Sequence, residues 1–334
     1  MYNDRLELYK KLEELRESKV LVYVTGDRPG FETQIARDSV DYFSDQLDKI
    51  GDVKKISLLL YTQGGDIMAA WSIVNLIKQF CDEFEVIIPS KCHSSGTLIS
   101  IGANKIMMTK QATLGPIDPS INTALNPQIP GANIQAKFPV SVEAVKGYLE
   151  LAKEELKIVD DKSLAQIYNK LSETVHPLVL GQVYRTRSQI KMVAEKLLKA
   201  QVSEPDKVNK IISFLCSESG SHDYTINRKE AKEYLGLNIE KPNDEEYNTI
   251  KEIYNNIKEE LELTRPFDVN LILNDSDSKQ YYNRRVLLES ISGGCDVFVS
   301  EGILTKQVMM NGGIPQNIVN DNRTYEGWRH EENE

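Results

Sequence analysis

Two short segments hold the residue types that acyl transfer uses. Gln63-Gly64-Gly65-Asp66 follows one apolar run, and His93-Ser94-Ser95-Gly96-Thr97 follows the next. A Gly pair at a strand end reaches φ > 0 and lets another backbone approach closely, which leaves N–H groups available to an anion. A serine at a helix start can serve as a nucleophile, because its alkoxide and the tetrahedral oxyanion both gain from such N–H groups and from the helix dipole. Taken singly, each segment also reads as punctuation, a tight turn in one case and an N-cap in the other. Their conjunction, a serine at a helix N-terminus beside glycines from the preceding crossover, points to acyl transfer. The residues alone leave Ser94 and Ser95 as alternatives for the nucleophile.

The flanking pattern supplies the frame. Lys55 to Thr62 (KISLLLYT) is a continuous apolar run, as expected for a strand buried on both faces. A helix over about Met68 to Phe80, a second buried strand from Phe84 to Pro89, a helix opening at Ser94 or Ser95, and a short strand from Lys105 to Thr109 complete βαβαβ alternation. Short connections of this kind predict a parallel sheet with covering helices. Upstream, residues 4–18 read as an exposed amphipathic helix with Leu6, Leu12 and Leu15 as its apolar positions. A strand at Val20 to Thr25 and a helix from Thr33 to Ile50 follow. Residues 115–140 contain five of the twelve prolines and little periodicity, the composition of a functional or mobile loop. Beyond it, helices are expected at 141–158, 181–199, 228–235 and 244–263, and strands at Val269 to Leu273 and Val297 to Ser300. No internal repeat is present.

Composition narrows the class. The 334 residues suit one large domain or two smaller ones, since ~150 residues is a common domain size. With 40% hydrophobic and 27% charged residues, usage is that of an ordinary soluble globular protein. No apolar run approaches the ~18–20 residues of a membrane span, and the N-terminus lacks the apolar core of a signal peptide. Forty basic against fifty acidic residues give a formal charge of -10, which argues against a nucleic-acid binder. Cys81, Cys92, Cys216 and Cys295 are scattered without CxxC spacing, as expected of reduced thiols in a cytoplasmic protein. No metal or cofactor is expected: there is no HExxH, no paired Cys, and GDRPG (Gly26 to Gly30) lacks the Gly-Lys-Ser/Thr of a phosphate loop.

Two longer stretches, LLLYTQGGDIMAAWSIVNLIK and VIIPSKCHSSGTLISIGANKIMMTKQATLGPIDPSI, resemble the Clp-fold serine peptidases. That group includes the Clp protease proteolytic subunit, the signal peptide peptidase A type and, most similar, the serine dehydrogenase proteinase family. Its pattern is a Pro ending a strand, then Ser-x-Gly-Thr opening a helix; Pro89 and Ser94-Ser95-Gly96-Thr97 match it. Gly220 to Leu237 (GSHDYTINRKEAKEYLGL) is similar to the family's HDYPI…EAKELGL segment. The resemblance covers about residues 20–240. It implies an α/β, Clp/crotonase-like spiral of βαβ units with a parallel sheet, a helical elaboration and a C-terminal region. The implied divisions are an N-terminal helix (1–18), a peptidase domain (19–240) and an extension (241–334).

The resemblance also implies roles. Ser94 falls on the nucleophile, and the N–H groups of Ser95 and of Gly64 or Gly65 on the oxyanion hole. The Clp subunit's histidine position is occupied by Asp118, so a plain Ser-His-Asp triad is not present in that register. The peptidase A type takes a Lys some 40–50 residues after the Ser, which brings in Lys137 and Lys146. His222, in the HDY segment, is the other candidate base, and Asp118 could orient it. Of the remaining histidines, His93 and His176 read as structural and His330 lies in the tail. The expected activity is a serine endopeptidase that cleaves polypeptides through an acyl-enzyme, working as a homo-oligomer with a possible partner protein that delivers substrate. A non-catalytic Clp-fold assembly protein and a crotonase-like acyl-thioester enzyme are the alternatives.

Overall fold

A computed structural model describes residues 1–130, 136–218, 223–311 and 314–331. The chain forms two compact units, Met1–Leu114 with Asn227–Glu334, and Gly115–Ile226. The sequence boundaries at 18/19 and 240/241 both lie within the first unit.

The first unit opens with α1 (Tyr2–Arg16), β1 (Lys19–Thr25), α2 (Ser39–Ile50), β2 (Val53–Tyr61), α3 (Ile67–Ile77) and β3 (Cys81–Ile88). The short β4 (Lys91–Cys92), α4 (Ser95–Ile101), β5 (Lys105–Met108) and β6 (Thr113–Leu114) follow. The second unit contains β7 (Ser120–Ile121), β8 (Val140–Ser141), α5 (Val142–Glu150) continued by a π turn, α6 (Asp161–Thr174), α7 (Pro177–Leu198) and α8 (Pro205–Ser213). At the return, β9 (Ile226–Asn227) leads to α9 (Arg228–Glu233), β10 (Ile239–Glu240), α10 (Asp244–Glu260), α11 (Val269–Leu273) and the strands β11 (Ser278–Ser290), β12 (Gly294–Asn311) and β13 (Ile314–Glu331).

The architecture is mixed α/β around an eight-stranded sheet in the order β10-β5-β3-β2-β1-β11-β12-β13. The β10-β5-β3-β2-β1 half is parallel, as the βαβαβ pattern predicts, and β11, β12 and β13 continue it antiparallel. Ile56, Leu58, Leu59 and Leu60 of β2 are fully buried, which a strand covered on both faces requires. On one face α1 and α10 pack Tyr9, Leu12, Ile253 and Ile257 against Val22, Leu59, Leu287 and Val297.

The helix expected from Thr33 begins only at Ser39, because Ile35 is bridged to Gly65, and three further expectations need correction. Val269–Leu273 is a short helix capped by Asp268, whose carboxylate accepts the Asn270 and Leu271 N–H groups; local capping outweighs the β-rich start of the segment. Second, α1 is not an exposed helix with Leu6, Leu12 and Leu15 as its apolar stripe, for of these three only Leu12 is fully buried. It buries Tyr2, Arg5, Tyr9, Leu12 and Arg16, a stripe at spacings of three and four that includes two arginines. Leu6 and Leu15 are only half-buried. Arg5 is satisfied by Glu289, Glu260 and the Asn256 side chain, and Arg16 by Glu85, Glu240 and Glu246. Third, the C-terminal strands extend far beyond Val297–Ser300, with the 18 residues of β12 hydrogen-bonded along most of their length to β13.

In the second unit the proline-rich loop is closed by β7 pairing antiparallel with β8, Ser120 opposite Ser141. Buried Asn126 ties its interior, donating to the carbonyls of Ile121 (2.6 Å) and Phe138 (2.9 Å).

Candidate active site

The parallel strands deliver both glycines and both serines to one place in the first unit. After β2 ends, the Thr62 N–H donates to the Lys91 carbonyl (3.1 Å), and the Thr62 carbonyl accepts the His93 N–H (3.0 Å). That pairing fixes the segment leading into Ser94. Ser94 is the N-cap of α4 and sits at φ 51°, ψ -113°, a strained conformation for a residue with a Cβ. Such backbone costs on the order of 1–3 kcal/mol and persists only where its surroundings enforce it. Here Gly96 N–H donates to the His93 carbonyl (2.8 Å) and Leu98 N–H to that of Ser94 (3.2 Å). The Ser94 side chain is half-exposed, and among the described residues its hydroxyl makes no hydrogen bond.

Ser95 differs in every respect. It is fully buried, and its hydroxyl donates to the Gly65 carbonyl at 2.6 Å. That bond joins the first turn of α4 to the glycine turn.

The glycines are required where they stand. Gly64 has φ 115° and Gly65 φ 146°, both in the region that L side chains rarely adopt. A Cβ on Gly64 would lie 2.6 Å from Ser94 Cβ, and one on Gly65 would overlap the backbone of Ile35. Ile35 also anchors the turn, its N–H donating to the Gly64 carbonyl and its carbonyl accepting the Asp66 N–H, each at 2.8 Å. Asp66 in turn caps α3, its carboxylate accepting the Met68 and Ala69 N–H groups. The two glycine amides are not equivalent. The Gly64 N–H donates to Thr62 Oγ1 at 3.0 Å, whereas among the described residues the Gly65 N–H has no acceptor. The Ser95 N–H, at the first position of α4, has none either.

A second cluster borders the turn and was not singled out in the sequence. Asp27, just after β1, accepts from Lys91 Nζ (2.6 Å), the Tyr61 hydroxyl (2.7 Å) and Gln63 Nε2 (3.0 Å). Burial works to raise the Asp27 carboxyl, but these three donors outweigh it and hold the group below its ordinary value. Asp27 thus links Gln63, which precedes Gly64, to Lys91, which precedes Ser94 by three residues. A lone Asp in a polar loop gives no sequence signal for this. Cys92 is not a competing nucleophile: burial pushes its thiol up to about 12, and its sulfur lies 3.3 Å from the Ser100 hydroxyl.

The candidate bases lie on the second unit. Lys137 is half-buried and paired with Gln128 in an isolated antiparallel bridge. Lys146, on α5, is ion-paired with Glu150 at 3.1 Å and Glu143 at 3.7 Å. Asp118 stands 3.4 Å from the hydroxyl of Ser141, the residue that caps α5. His222 lies outside the described residues. The other three histidines have structural contacts: His93 with the Thr113 hydroxyl (2.9 Å), His176 capping α7 through Leu178 N–H, and His330 with Asp296 (2.9 Å). Among the described residues no group of His, Cys, Asp and Glu could hold a metal ion.

The turn, the strained serine and the two unengaged amides thus lie together in the first unit. Residues 46–265 match the ClpP-like SDH-type serine proteinases, and the chain belongs to that family. Two uncharacterized proteins of Methanocaldococcus jannaschii are similar, 31% identical over 202 residues and 28% over 187. The matches cover 60% and 55% of this chain, and the chain spans 59% and 51% of those relatives. Among solved structures, a mutant of the 1510-N membrane-bound stomatin-specific protease has 15% identity and a TM-score of 0.39, with 73% of this chain and 86% of that one covered. For ClpP1 from Listeria monocytogenes the values are 15%, 0.35, 70% and 96%. Among the described residues no helix is long and apolar enough to cross a membrane.

Proposed function

We propose that the protein is a serine endopeptidase that cleaves polypeptides through an acyl-enzyme on Ser94. One observation carries the reading: Ser94 is held at positive φ with an unengaged hydroxyl, next to a turn whose Gly65 N–H is also unengaged. In the reaction, Ser94 Oγ attacks the scissile carbonyl and loses its proton to a base. The carbonyl oxygen becomes an oxyanion held by the N–H groups of Gly65 and Ser95. Collapse expels the amine, which takes a proton from the protonated base, and water then hydrolyses the ester by the reverse sequence.

Gly64 acts differently from Gly65, since its N–H is committed to Thr62 and its role is to let the backbone pass against Ser94. The base is His222 or Lys137, with Asp118 as the group that could orient it; Lys146, already engaged by two carboxylates, ranks third. A homo-oligomer, and a partner protein that delivers substrate, belong to the same proposal and rest on the family alone.

The test is hydrolysis of an unfolded protein substrate, followed by mass spectrometry of the products. Wild type is expected to release peptides, and Ser94→Ala to lose at least a thousandfold in rate. Equal hydrolysis by both would remove Ser94 from the chemistry. A folded wild type that neither cleaves nor reacts with serine probes would favour the non-catalytic assembly role, and one that binds coenzyme A would favour acyl-thioester chemistry.

A further inference from the structure

Thr62 joins the glycine turn, the strand that leads into Ser94 and the first turn of α4. It is fully buried, between the last residue of β2 and the glycine turn. Its main chain pairs with both sides of Cys92, through Lys91 and His93, so it sets the position of the strand that delivers Ser94. Its methyl occupies the space a Cβ on Gly96 would need, in the first turn of α4. Its hydroxyl accepts the Gly64 N–H at 3.0 Å and lies 2.7 Å from the Thr25 hydroxyl at the end of β1, itself fully buried.

This arrangement explains a feature of the glycine turn. Of the two successive amides of Gly64 and Gly65, only that of Gly65 is left unengaged among the described residues. A buried amide without an acceptor is costly, so the Thr62 hydroxyl holds the Gly64 N–H in place. With the Gly64 N–H held beneath the turn, the next N–H in the chain, that of Gly65, is the one left to pair with the Ser95 N–H. The Thr62 hydroxyl also lies 3.4 Å from the Gly64 carbonyl and 2.7 Å from the Thr25 hydroxyl, so the tie reaches back to β1.

We propose that Thr62 is the positioning residue of the oxyanion hole, its hydroxyl holding the Gly64 amide so that the Gly65 and Ser95 amides form the donor pair. The proposal rests on the peptidase reading of Ser94, and Thr62 itself does not touch the reacting atoms. It is a hydroxyl at the end of an apolar strand, a position that reads in the sequence as an ordinary strand residue.

Four proteins test it: wild type, Thr62→Val, Thr62→Ser and Thr62→Ala. The Ser and Ala variants both lack the methyl and differ only in the hydroxyl, so they separate the tie from packing against Gly96 if Thr62→Val fails to fold. Two quantities are measured, the second-order rate of fluorophosphonate labelling and the residue-resolved hydrogen exchange of the Gly64 amide. Expected are labelling at least tenfold slower in Thr62→Val and Thr62→Ala, a rate within threefold of wild type in Thr62→Ser, and Gly64 protection lost only where the hydroxyl is lost. For peptide cleavage the loss should fall on kcat with KM little changed, which general loosening of the fold would not produce. Equal labelling of the Ser and Ala variants, or Gly64 protection unaffected in Thr62→Ala, would overturn the proposal. If wild type itself is not labelled, the peptidase reading fails first, and Gly64 exchange still decides whether Thr62 holds that amide.

Discussion

Ser94 and Ser95 are adjacent and have opposite surroundings. Ser95→Ala is expected to keep most probe labelling, because its hydroxyl is spent on the Gly65 carbonyl, but to lose roughly 0.5–1.5 kcal/mol of stability with that hydrogen bond. Labelling that vanishes in Ser95→Ala and survives in Ser94→Ala would move the nucleophile by one residue. The base is separable by pH, since a base works only when deprotonated. A lysine base gives acylation that keeps rising through the alkaline range, whereas a histidine base gives a rise that is complete at lower pH. The rate profile of wild type, His222→Gln and Lys137→Met decides: an unchanged profile in His222→Gln would remove His222. Asp27 makes a third prediction. Its carboxyl is held below its ordinary value, so its stabilisation is complete above the unfolded value of ~3.9 and disappears as pH falls through the folded one. Asp27→Asn should therefore lower the melting temperature at neutral pH and narrow its difference from wild type below pH ~4. A difference that stays constant from pH 7 to pH 3 would contradict the assignment. At this scale the sequence showed the serines and glycines by type and spacing. It could not show Asp27, Lys91 or Thr62, which come together only when β1, β2 and β4 lie side by side.

Among the elements, the glycine turn and α1 respond differently to substitution. Gly65→Ala places a Cβ on the Ile35 backbone and strains φ 146°, so both activity and fold should suffer. A loss of more than a hundredfold in acylation is expected, since one oxyanion donor is misplaced, together with about 1–3 kcal/mol of stability. Wild-type labelling in Gly65→Ala would reduce this segment to an ordinary turn. In α1 the buried arginines carry charges that need partners. Arg5→Met leaves Glu289, fully buried, without its cation, and should cost about 3–5 kcal/mol in denaturant unfolding. Arg5→Met combined with Glu289→Gln should recover part of that loss; a double variant no better than the single one would show that packing, not charge, accounts for the cost. The helix itself was legible from its period, but its inward face was not. Reading by hydropathy selects Leu6 and Leu15, whereas the partners of Arg5 and Arg16 are contributed by residues from Glu85 to Glu289 in sequence.

For the molecule as a whole, the parallel half of the sheet was readable because β2 and β3 carry the apolar runs Leu58 to Leu60 and Val86 to Ile88 and are joined by a short helical crossover. The antiparallel half was not: β11, β12 and β13 carry many charged and polar residues, and their pairing depends on neighbours that no local period reveals. Helices α6 and α8 went unread for a related reason, since α6 buries no residue and α8 only three. The central claim concerns one atom, the hydroxyl oxygen of Ser94, and intact-mass analysis after a fluorophosphonate probe tests it most directly. Wild type should gain the mass of a single probe adduct, mapped by peptide sequencing to Ser94, and Ser94→Ala, shown to be folded by its melting curve, should gain none. A folded wild type that stays unmodified, or an adduct that persists in Ser94→Ala, would contradict the account.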